Sequence, residues 1–239
     1  MRKLSFWIKI MVGIGVVFVF ALLLSNQYQI KMYKRYTVLA DSYRNTNLEL
    51  IKHNIQPAQD GKNSLIEGLF VFQAPWGSVH KKTIDRVAGK ESYTFPNVIL
   101  VIDERESNFY TSTIVESGNC LKRRAFDRTY GKNLSDFQLR RLILDSHPDM
   151  LSQTNKAVLN QINHQLLNQK SLSIVPAGED GIFVFETANI QGFQFGVPEV
   201  SETIWLEVYY QNKLYLIQIF GPVTQEEVDY FITSIKSAD

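Results

Sequence analysis

The sequence has a single cysteine, Cys120, and contains 13 glycines and 7 prolines among its 239 residues. One cysteine cannot form an intramolecular disulfide, so a fold stapled by disulfides within the chain is excluded. The four histidines, His53, His80, His147 and His164, do not have the spacing of metal ligands, and there is no cysteine pair. The fold must therefore be stabilised by its hydrophobic core.

The sequence also lacks nucleotide-binding loops and an excess of charge of one sign. It has no Walker loop and no dinucleotide fingerprint. Its 25 lysines and arginines nearly match its 24 aspartates and glutamates, for a net charge of +1. Nucleic-acid-binding domains normally carry a strong basic excess. The composition therefore gives no support to nucleic-acid binding, and no cofactor is expected.

One long hydrophobic segment lies near the N-terminus. Residues 6–24 contain one charged residue, Lys9, and have about the ~20-residue length that a helix needs to cross a bilayer. We predict a basic tail at residues 1–5 and a transmembrane anchor at residues 6–24. A cleaved signal peptide is the alternative, because a basic start before an apolar run fits one too. However, Leu23 and Ser25 do not provide the small pair that signal peptidase requires.

Basic residues on the two sides of the anchor indicate its orientation. Those at its N-terminal end are Arg2, Lys3 and Lys9, the last within the segment itself, and those after it are Lys31, Lys34 and Arg35. The N-terminal charges lie closer to the span, which favours a tail in the cytoplasm. We therefore expect a single-pass protein of the inner or cytoplasmic membrane, with its C-terminal domain in the periplasm or outside the cell.

The segment after the anchor favours a helical stalk. Residues 25–53 contain neither glycine nor proline, and apolar or small side chains recur there at three- and four-residue steps. Such a stripe can pack on the domain or on a second copy, so the oligomeric state stays open. Residues 54–63 include Pro57 and Gly61 and are predicted to be a polar linker. We place the globular domain at residues 64–239.

Strands are predicted in the first half of this domain. The short apolar run Gly68–Pro75 ends at a proline, while Val98–Asp103 and Phe109–Glu116 are rich in β-branched and aromatic residues. The charged stretch Asp103–Asn108 joins the last two runs. This order predicts an antiparallel pair formed by residues 98–103 and 109–116.

Two helices are predicted in the middle of the domain. Ser135 and Gln138 have the spacing of a capping box, which favours a helix from there to about Asp145. Pro148 separates it from a second, amphipathic helix at about Asp149–Gln169. The apolar face of this second helix is predicted to carry Leu151, Val158, Ile162 and Leu166.

The last third of the sequence has the clearest pattern. Thr203–Tyr210 and Lys213–Phe220 alternate around Gln211-Asn212, which predicts a β-hairpin with a two-residue loop. The register brings apolar partners together on one face, namely Val208 with Tyr215, Leu206 with Ile217 and Ile204 with Ile219. Thr224 and Glu227 then form a second capping box, which starts a terminal amphipathic helix.

The chain is thus predicted to be an α+β protein, in which a single transmembrane helix precedes an antiparallel sheet with packed helices. The order of Ile204–Phe220 and Thr224–Lys236, a hairpin followed by Gly-Pro and a terminal helix, resembles the end of PsbP-like α/β sandwich domains. These are small domains, several of them in exported bacterial proteins. The resemblance implies a binding or accessory module more than an enzyme.

Three possible metal ligands or acid/base groups, Asp145, His147 and Asp149, occur in the short sequence Asp-Ser-His-Pro-Asp. A catalytic or metal site would need a nucleophile or further ligands from elsewhere in the fold. Ser146 adjoins His147 but does not lie in a strained Gly-x-Ser-x-Gly turn. We favour a structural interpretation, in which Asp149 helps to start a helix after Pro148, and expect no catalytic or metal site.

Basic residues cluster between positions 122 and 141. Seven of them are opposed by two aspartates, a local excess of +5, and they are Lys122, Arg123, Arg124, Arg128, Lys132, Arg140 and Arg141. Clustered lysines and arginines raise the local potential and attract anionic lipid heads, cell-wall polymers or acidic partners. The candidate binding residues are Lys122, Arg123, Arg124 and Arg128. A solvated helix face balanced by acids elsewhere is the alternative.

Three functions are compatible with these patterns. The favoured one is a membrane-anchored, non-enzymatic binding or accessory protein, such as an inhibitor or immunity-type protein that binds a protein or envelope partner. The second is a membrane-tethered hydrolase that uses His147 with Asp145 or Asp149. The third is a structural subunit of an envelope complex that associates through the anchor and stalk.

Overall fold

A computed structural model of the chain describes residues 48–55, 64–85, 87–106, 120–151, 157–174 and 181–236. The predicted tail and anchor, most of the stalk and linker, and the predicted strand Phe109–Glu116 lie outside these ranges. Of the helices that the structure describes, none combines the length and the hydropathy of a membrane-crossing segment.

The described ranges contain ten strands, four α-helices and one 3-10 helix. The strands are β1 (Leu50–Lys52), β2 (Ser64–Glu67), β3 (Val71–Ala74), β4 (Lys81–Asp85), β5 (Lys90–Thr94), β6 (Ile99–Glu106), β7 (Ile182–Glu186), β8 (Gln191–Phe195), β9 (Thr203–Tyr210) and β10 (Lys213–Phe220). The helices are α1 (Cys120–Tyr130), α2 (Asp136–Asp145), the 3-10 helix Pro148–Leu151, α3 (Ala157–Ile174) and α4 (Gln225–Thr233). The predicted α+β class is confirmed.

Eight strands form one sheet in the order β1-β7-β8-β9-β10-β6-β5-β4, and β2 and β3 form a separate hairpin. The sheet is mixed rather than antiparallel as predicted, because β1 runs parallel to β7, with Leu50 opposite Ile182. All its other neighbouring strands are antiparallel. Residues 50–52, which we predicted to belong to the stalk, thus form the strand at one edge of the sheet.

The β9–β10 hairpin has the predicted register: Val208 lies opposite Tyr215, Leu206 opposite Ile217 and Ile204 opposite Ile219. Both loop residues have positive φ, 48° at Gln211 and 61° at Asn212. A two-residue loop with φ above zero at both positions matches the twist of the flanking strands. This turn therefore holds the hairpin in one register.

The sheet is covered on both faces. On one face it packs against the β2–β3 hairpin and α4, where the Phe72 ring centroid lies 5.5 Å from that of Tyr93 and 5.2 Å from that of Phe231. On the other face α1, α2 and α3 pack against the sheet. Strand β9 serves both layers, since Leu206 belongs to the first core and Trp205 packs against the second.

Both predicted capping boxes are present, at the starts of α2 and α4. The second predicted helix differs from expectation. The segment after Pro148 is a 3-10 helix, and α3 begins at Ala157. Three residues of its predicted apolar face, Leu151, Ile162 and Leu166, are buried, whereas Val158 is 37% exposed.

Two further predictions for the first half of the chain need correction. Residues 50–52 form a strand instead of the end of a helical stalk, so the sheet begins before residue 64. Strand β6 does include Val101 and Ile102, but β10 and β5 occupy both edges of Ile99–Asp103. Neither edge of that segment is therefore free, whereas the predicted antiparallel pair required a free edge.

The predicted strand Gly68–Pro75 is also shorter in the structure. Residues 68–70 form a bend between β2 and β3, and the strand itself is Val71–Ala74. Gly68 occupies this bend close to the side chains of Glu91 and Tyr93, where a β-carbon would overlap both. The turn is fixed by the Glu91 carboxylate, which accepts a 3.0 Å hydrogen bond from the Leu69 amide.

Candidate functional site

Helix α1 is anchored by aromatic side chains. Phe126 is 5% exposed and lies in the core that α1, α2 and α3 share. The Tyr130 hydroxyl donates a 2.5 Å hydrogen bond to the Asn163 side chain on α3. Burial raises the pKa of Tyr130, so the phenol remains protonated and keeps this bond at physiological pH. These contacts fix α1 against α3.

The arginines of α1 point away from this core. Arg123, Arg124 and Arg128 are all exposed. Because Arg124 and Arg128 are four residues apart, they are neighbours on one helix face. Within the described ranges, none of the three forms an ion pair with an acidic side chain. Lys122 belongs to the same helix, but its side chain lies outside the described part of the chain.

Two of the seven clustered basic residues form ion pairs with acidic residues of the domain, one buried and one exposed. Arg140 is 2% exposed and binds Glu207 with two hydrogen bonds, from Nε at 2.7 Å and from Nη2 at 2.5 Å. Arg141 lies 2.9 Å from Glu186 and 3.8 Å from Asp145. The candidate binding surface is therefore the exposed face of α1, with Arg123, Arg124 and Arg128; we call it the arginine face.

Asp145, His147 and Asp149 lie at the junction of α2 and the 3-10 helix. His147 Nδ1 is 3.1 Å from Asp149 Oδ2, and the two side chains are 46% and 70% exposed. Burial raises the pKa of Asp145, while Arg141 and Lys170 oppose this shift. None of the three residues lines the cleft at residues 135–137 and 187–213 or the cleft at residues 67–91, and no described hydroxyl is hydrogen bonded to the His147 ring. No group of metal-ligating side chains occurs within the described ranges.

Lys170, a buried lysine next to this junction, was not identified from the sequence. Lys170 is 2% exposed and donates 2.9 Å hydrogen bonds to the carbonyl oxygens of Leu48 and Ser146. Burial lowers the pKa of Lys170 to about 8, against the opposing effect of Asp145 and Glu49. The helical periodicity of the sequence could have predicted this burial. Lys170 follows Ile162 and Leu166 at four-residue steps, so it lies on the same buried face of α3.

A second missed cluster joins the segment before β2 to α4. His53 Nε2 lies 2.8 Å from Asp229 Oδ1, and the Asp229 side chain is 5% exposed. The Gln225 side-chain amide donates to Asp229 Oδ1 at 2.8 Å and to Gln194 Oε1 at 3.0 Å. These residues come from three distant parts of the sequence, so spacing alone gave no sign of them. The cluster ties residues 48–55 to the opposite face of the sheet from Lys170.

A polar cleft of about 460 Å³ opens where two hairpin turns meet the N-terminus of α2. Its lining includes Thr187, Asn189 and Gln191 from the β7–β8 turn, Tyr209, Gln211, Asn212 and Lys213 from the β9–β10 turn, and Ser135, Asp136 and Phe137 from α2. The turns lie together because Gln191 pairs with Tyr209 across β8 and β9. The β9–β10 turn was predicted from the sequence, but neither the β7–β8 turn nor its position next to the β9–β10 turn was.

Comparison with known proteins adds no functional information. The chain matches no family model, and no curated protein or solved structure is significantly similar to it. The functional argument therefore depends on the arginine face, the cleft and the predicted anchor.

Proposed function

We propose that the protein is a membrane-anchored, non-enzymatic binding or accessory protein, whose domain lies outside the cytoplasm and binds an acidic partner protein through the arginine face of α1. The hydrophobic segment 6–24 supports the anchor. The resemblance of the C-terminal pattern to PsbP-like domains supports an accessory role.

The observation that carries this proposal is the exposure of the three α1 arginines on a helix whose other face is buried. Like charges at i and i+4, as at Arg124 and Arg128, destabilise a helix by about 0.2–0.5 kcal/mol. No described acidic residue offsets this repulsion with an ion pair. An acidic partner would offset it, and Phe126 and Tyr130 hold the helix in place before the partner binds.

The chemistry of the side chain favours a protein partner. A guanidinium presents several N–H donors in one plane and binds a carboxylate through two parallel hydrogen bonds. Arginine is enriched at protein interfaces, where it often supplies much of the binding energy. The phosphates of anionic lipid or of a cell-wall polymer accept such bonds too, but they are not held in one fixed arrangement, so binding to them should depend on net charge more than on the position of the arginines.

Charge reversal on α1 tests the proposal. The full-length protein in detergent, as wild type, Arg124→Glu/Arg128→Glu and the control Lys52→Glu/Lys81→Glu, is used to capture partners from envelope extract. The control makes the same change in net charge with exposed lysines on β1 and β4. We expect the α1 variant to capture at least about tenfold less partner than the wild type. This difference between the two proteins should shrink as the salt concentration rises from about 0.05 to 0.5 M.

The same experiment has outcomes that contradict the proposal. Equal capture by all three forms would show that the arginine face is a solvated helix surface that does not bind the partner. Equal loss in both variants would indicate attraction by net charge, as expected for lipid or wall polymer.

The anchor has its own test. If residues 6–24 span the membrane, the protein stays in the membrane pellet after alkaline carbonate extraction and keeps its full mass. Protease added to intact cells or spheroplasts should digest the C-terminal domain. A soluble form that begins after residue 25 would show a cleaved signal peptide instead.

A further inference from the structure

We propose that the polar cleft between the β7–β8 turn, the β9–β10 turn and α2 binds an uncharged saccharide. This site is separate from the arginine face and does not depend on the function proposed for that face. Its volume of about 460 Å³ is within the range of about 300–1,000 Å³ that is usual for small-molecule sites.

Four side-chain amides line the cleft, and all of them are exposed: Asn189, Gln191, Gln211 and Asn212. None of these amides is hydrogen bonded to another residue of the described part of the chain. Each amide offers a carbonyl acceptor and two N–H donors. A sugar hydroxyl is both donor and acceptor, so several neighbouring hydroxyls suit a group of amides better than a carboxylate or an ammonium does.

The charges at the cleft disfavour an ionic ligand. Its one ammonium group, on Lys213, donates a 2.6 Å hydrogen bond to Glu104. Its one carboxylate, on Asp136, is 6% exposed at the start of α2. The lining as a whole is therefore neutral, with one positive and one negative group. An anionic ligand would face the Asp136 carboxylate, and a cationic ligand would face the α2 N-terminus and Lys213.

An apolar wall lies beside the amides. Phe137 and Tyr209 both line the cleft, with ring centroids 5.5 Å apart and planes at 71°. Phe137 is 5% exposed and packs behind the wall, so the partly exposed Tyr209 supplies most of the apolar surface that a ligand can contact. The carbon-bound hydrogens of a pyranose ring are apolar, while its hydroxyls lie at the rim. A ligand with these two kinds of surface fits a cleft that has an aromatic side and an amide side.

The frame of the cleft is rigid. Gln211 and Asn212 form a tight turn with positive φ at both residues. In the other turn, Thr187 accepts a 3.1 Å hydrogen bond from the Ile190 amide and donates to the Ile190 carbonyl oxygen. A preorganised frame lowers the entropy that is lost on binding.

A peptide strand is a poorer fit at this place. Extended peptides usually bind by adding a strand to a free sheet edge. The four strands that end at the cleft, β7, β8, β9 and β10, each have neighbours on both sides. The backbone groups that an added strand requires are therefore already used along β8, β9 and β10, and β7 extends only two residues past its pairing with β1 at Ile182–Val184.

The test uses the full-length protein in a detergent without a sugar headgroup. The probes are cellobiose, maltose and diacetylchitobiose, with glucuronate and inorganic phosphate as charged comparisons, followed by saturation-transfer NMR and titration. The variant is Asn189→Ala/Gln191→Ala, and the matched control is Asn168→Ala, an exposed amide on α3 outside the cleft.

We expect at least one neutral disaccharide to bind with a Kd of about 1 mM or tighter, and the double variant to weaken it at least tenfold while Asn168→Ala has no effect. Absence of binding by all three sugars at concentrations on the order of 10 mM would overturn the proposal. Preferential binding of phosphate or glucuronate would also overturn it, as would a double variant that binds like the wild type. Circular dichroism checks that the double variant is folded.

Discussion

The ammonium group of Lys170 donates a 2.9 Å hydrogen bond to the carbonyl oxygen of Leu48. A charge buried under α3 thus holds the segment that connects the predicted stalk to the domain. On the opposite face of the sheet, His53 holds the same segment through Asp229. Residues 48–55 are therefore held on the domain from both faces of the sheet.

Lys170 makes stability depend on pH in a defined direction. Burial lowers its pKa from 10.5 to about 8 in the folded protein. Between these values the unfolded chain binds more protons, so stability should rise with pH through this window, by about 3 kcal/mol. Well below pH 8 both states are protonated, and the contribution of Lys170 no longer changes.

The measurement is urea unfolding from pH 7 to 10.5, with wild type and Lys170→Met compared at each pH. Burial raises the pKa of Tyr215 to about 12 and that of Tyr93 still further, which opposes the rise above about pH 10. Both tyrosines are present in both proteins, so their effect cancels in the difference. Parallel profiles for the two proteins would contradict the lowered pKa of Lys170.

The N-terminal limit of the domain gives a second prediction. A fragment of residues 48–239 should be more stable than one of residues 64–239 by at least about 3 kcal/mol. The shorter fragment loses β1, the contacts of Leu48 and Leu50 with the core, and both fastening side-chain contacts. Thermal unfolding of the two fragments measures the difference. Equal melting temperatures would support the boundary at residue 64 that the sequence suggested.

Local patterns account for what the sequence predicted correctly. The β9–β10 register follows from alternation around a two-residue turn, and the capping boxes of α2 and α4 join residues three positions apart. Each of these features is decided within a short continuous stretch, the longest being residues 203–220. The sequence alone was sufficient because no distant part of the chain competes with them.

The features that the sequence did not predict depend on distant contacts. Leu50 joins the sheet through a parallel pairing with Ile182, and Arg140 is buried because Glu207 lies beside it in space. A charged residue in an amphipathic helix is normally expected on the surface, which is why Arg140 was counted in the basic cluster. The cleft was missed for the same reason, since its lining comes from three separate segments.

His147 and His53 provide a matched pair of histidine variants. His147→Ala should change the free energy of unfolding by less than about 0.5 kcal/mol, because the side chain is 46% exposed. His53→Ala should cost about 1–3 kcal/mol, because it removes a partner of the buried Asp229 carboxylate. Chemical denaturation of both variants measures this contrast. A loss of biological activity in His147→Ala with intact stability would instead favour the hydrolase hypothesis.

The buried pair of Arg140 and Glu207 gives the last prediction. Removing one member takes the two-bond partner from the other buried charge, so Arg140→Met and Glu207→Leu should each destabilise the protein by about 3–5 kcal/mol. Replacing both, as Arg140→Met/Glu207→Leu, removes both buried charges and should bring stability to within about 2 kcal/mol of the wild type.

The exposed pair of Arg141 and Glu186 is the control for this cycle, since both side chains are nearly half exposed. Its single variants should each cost less than about 1 kcal/mol. Urea unfolding of all the variants gives the coupling energies. If the double variant at Arg140 and Glu207 loses as much as the sum of its single variants, the two residues act independently, and α2 is held on β9 by apolar packing alone.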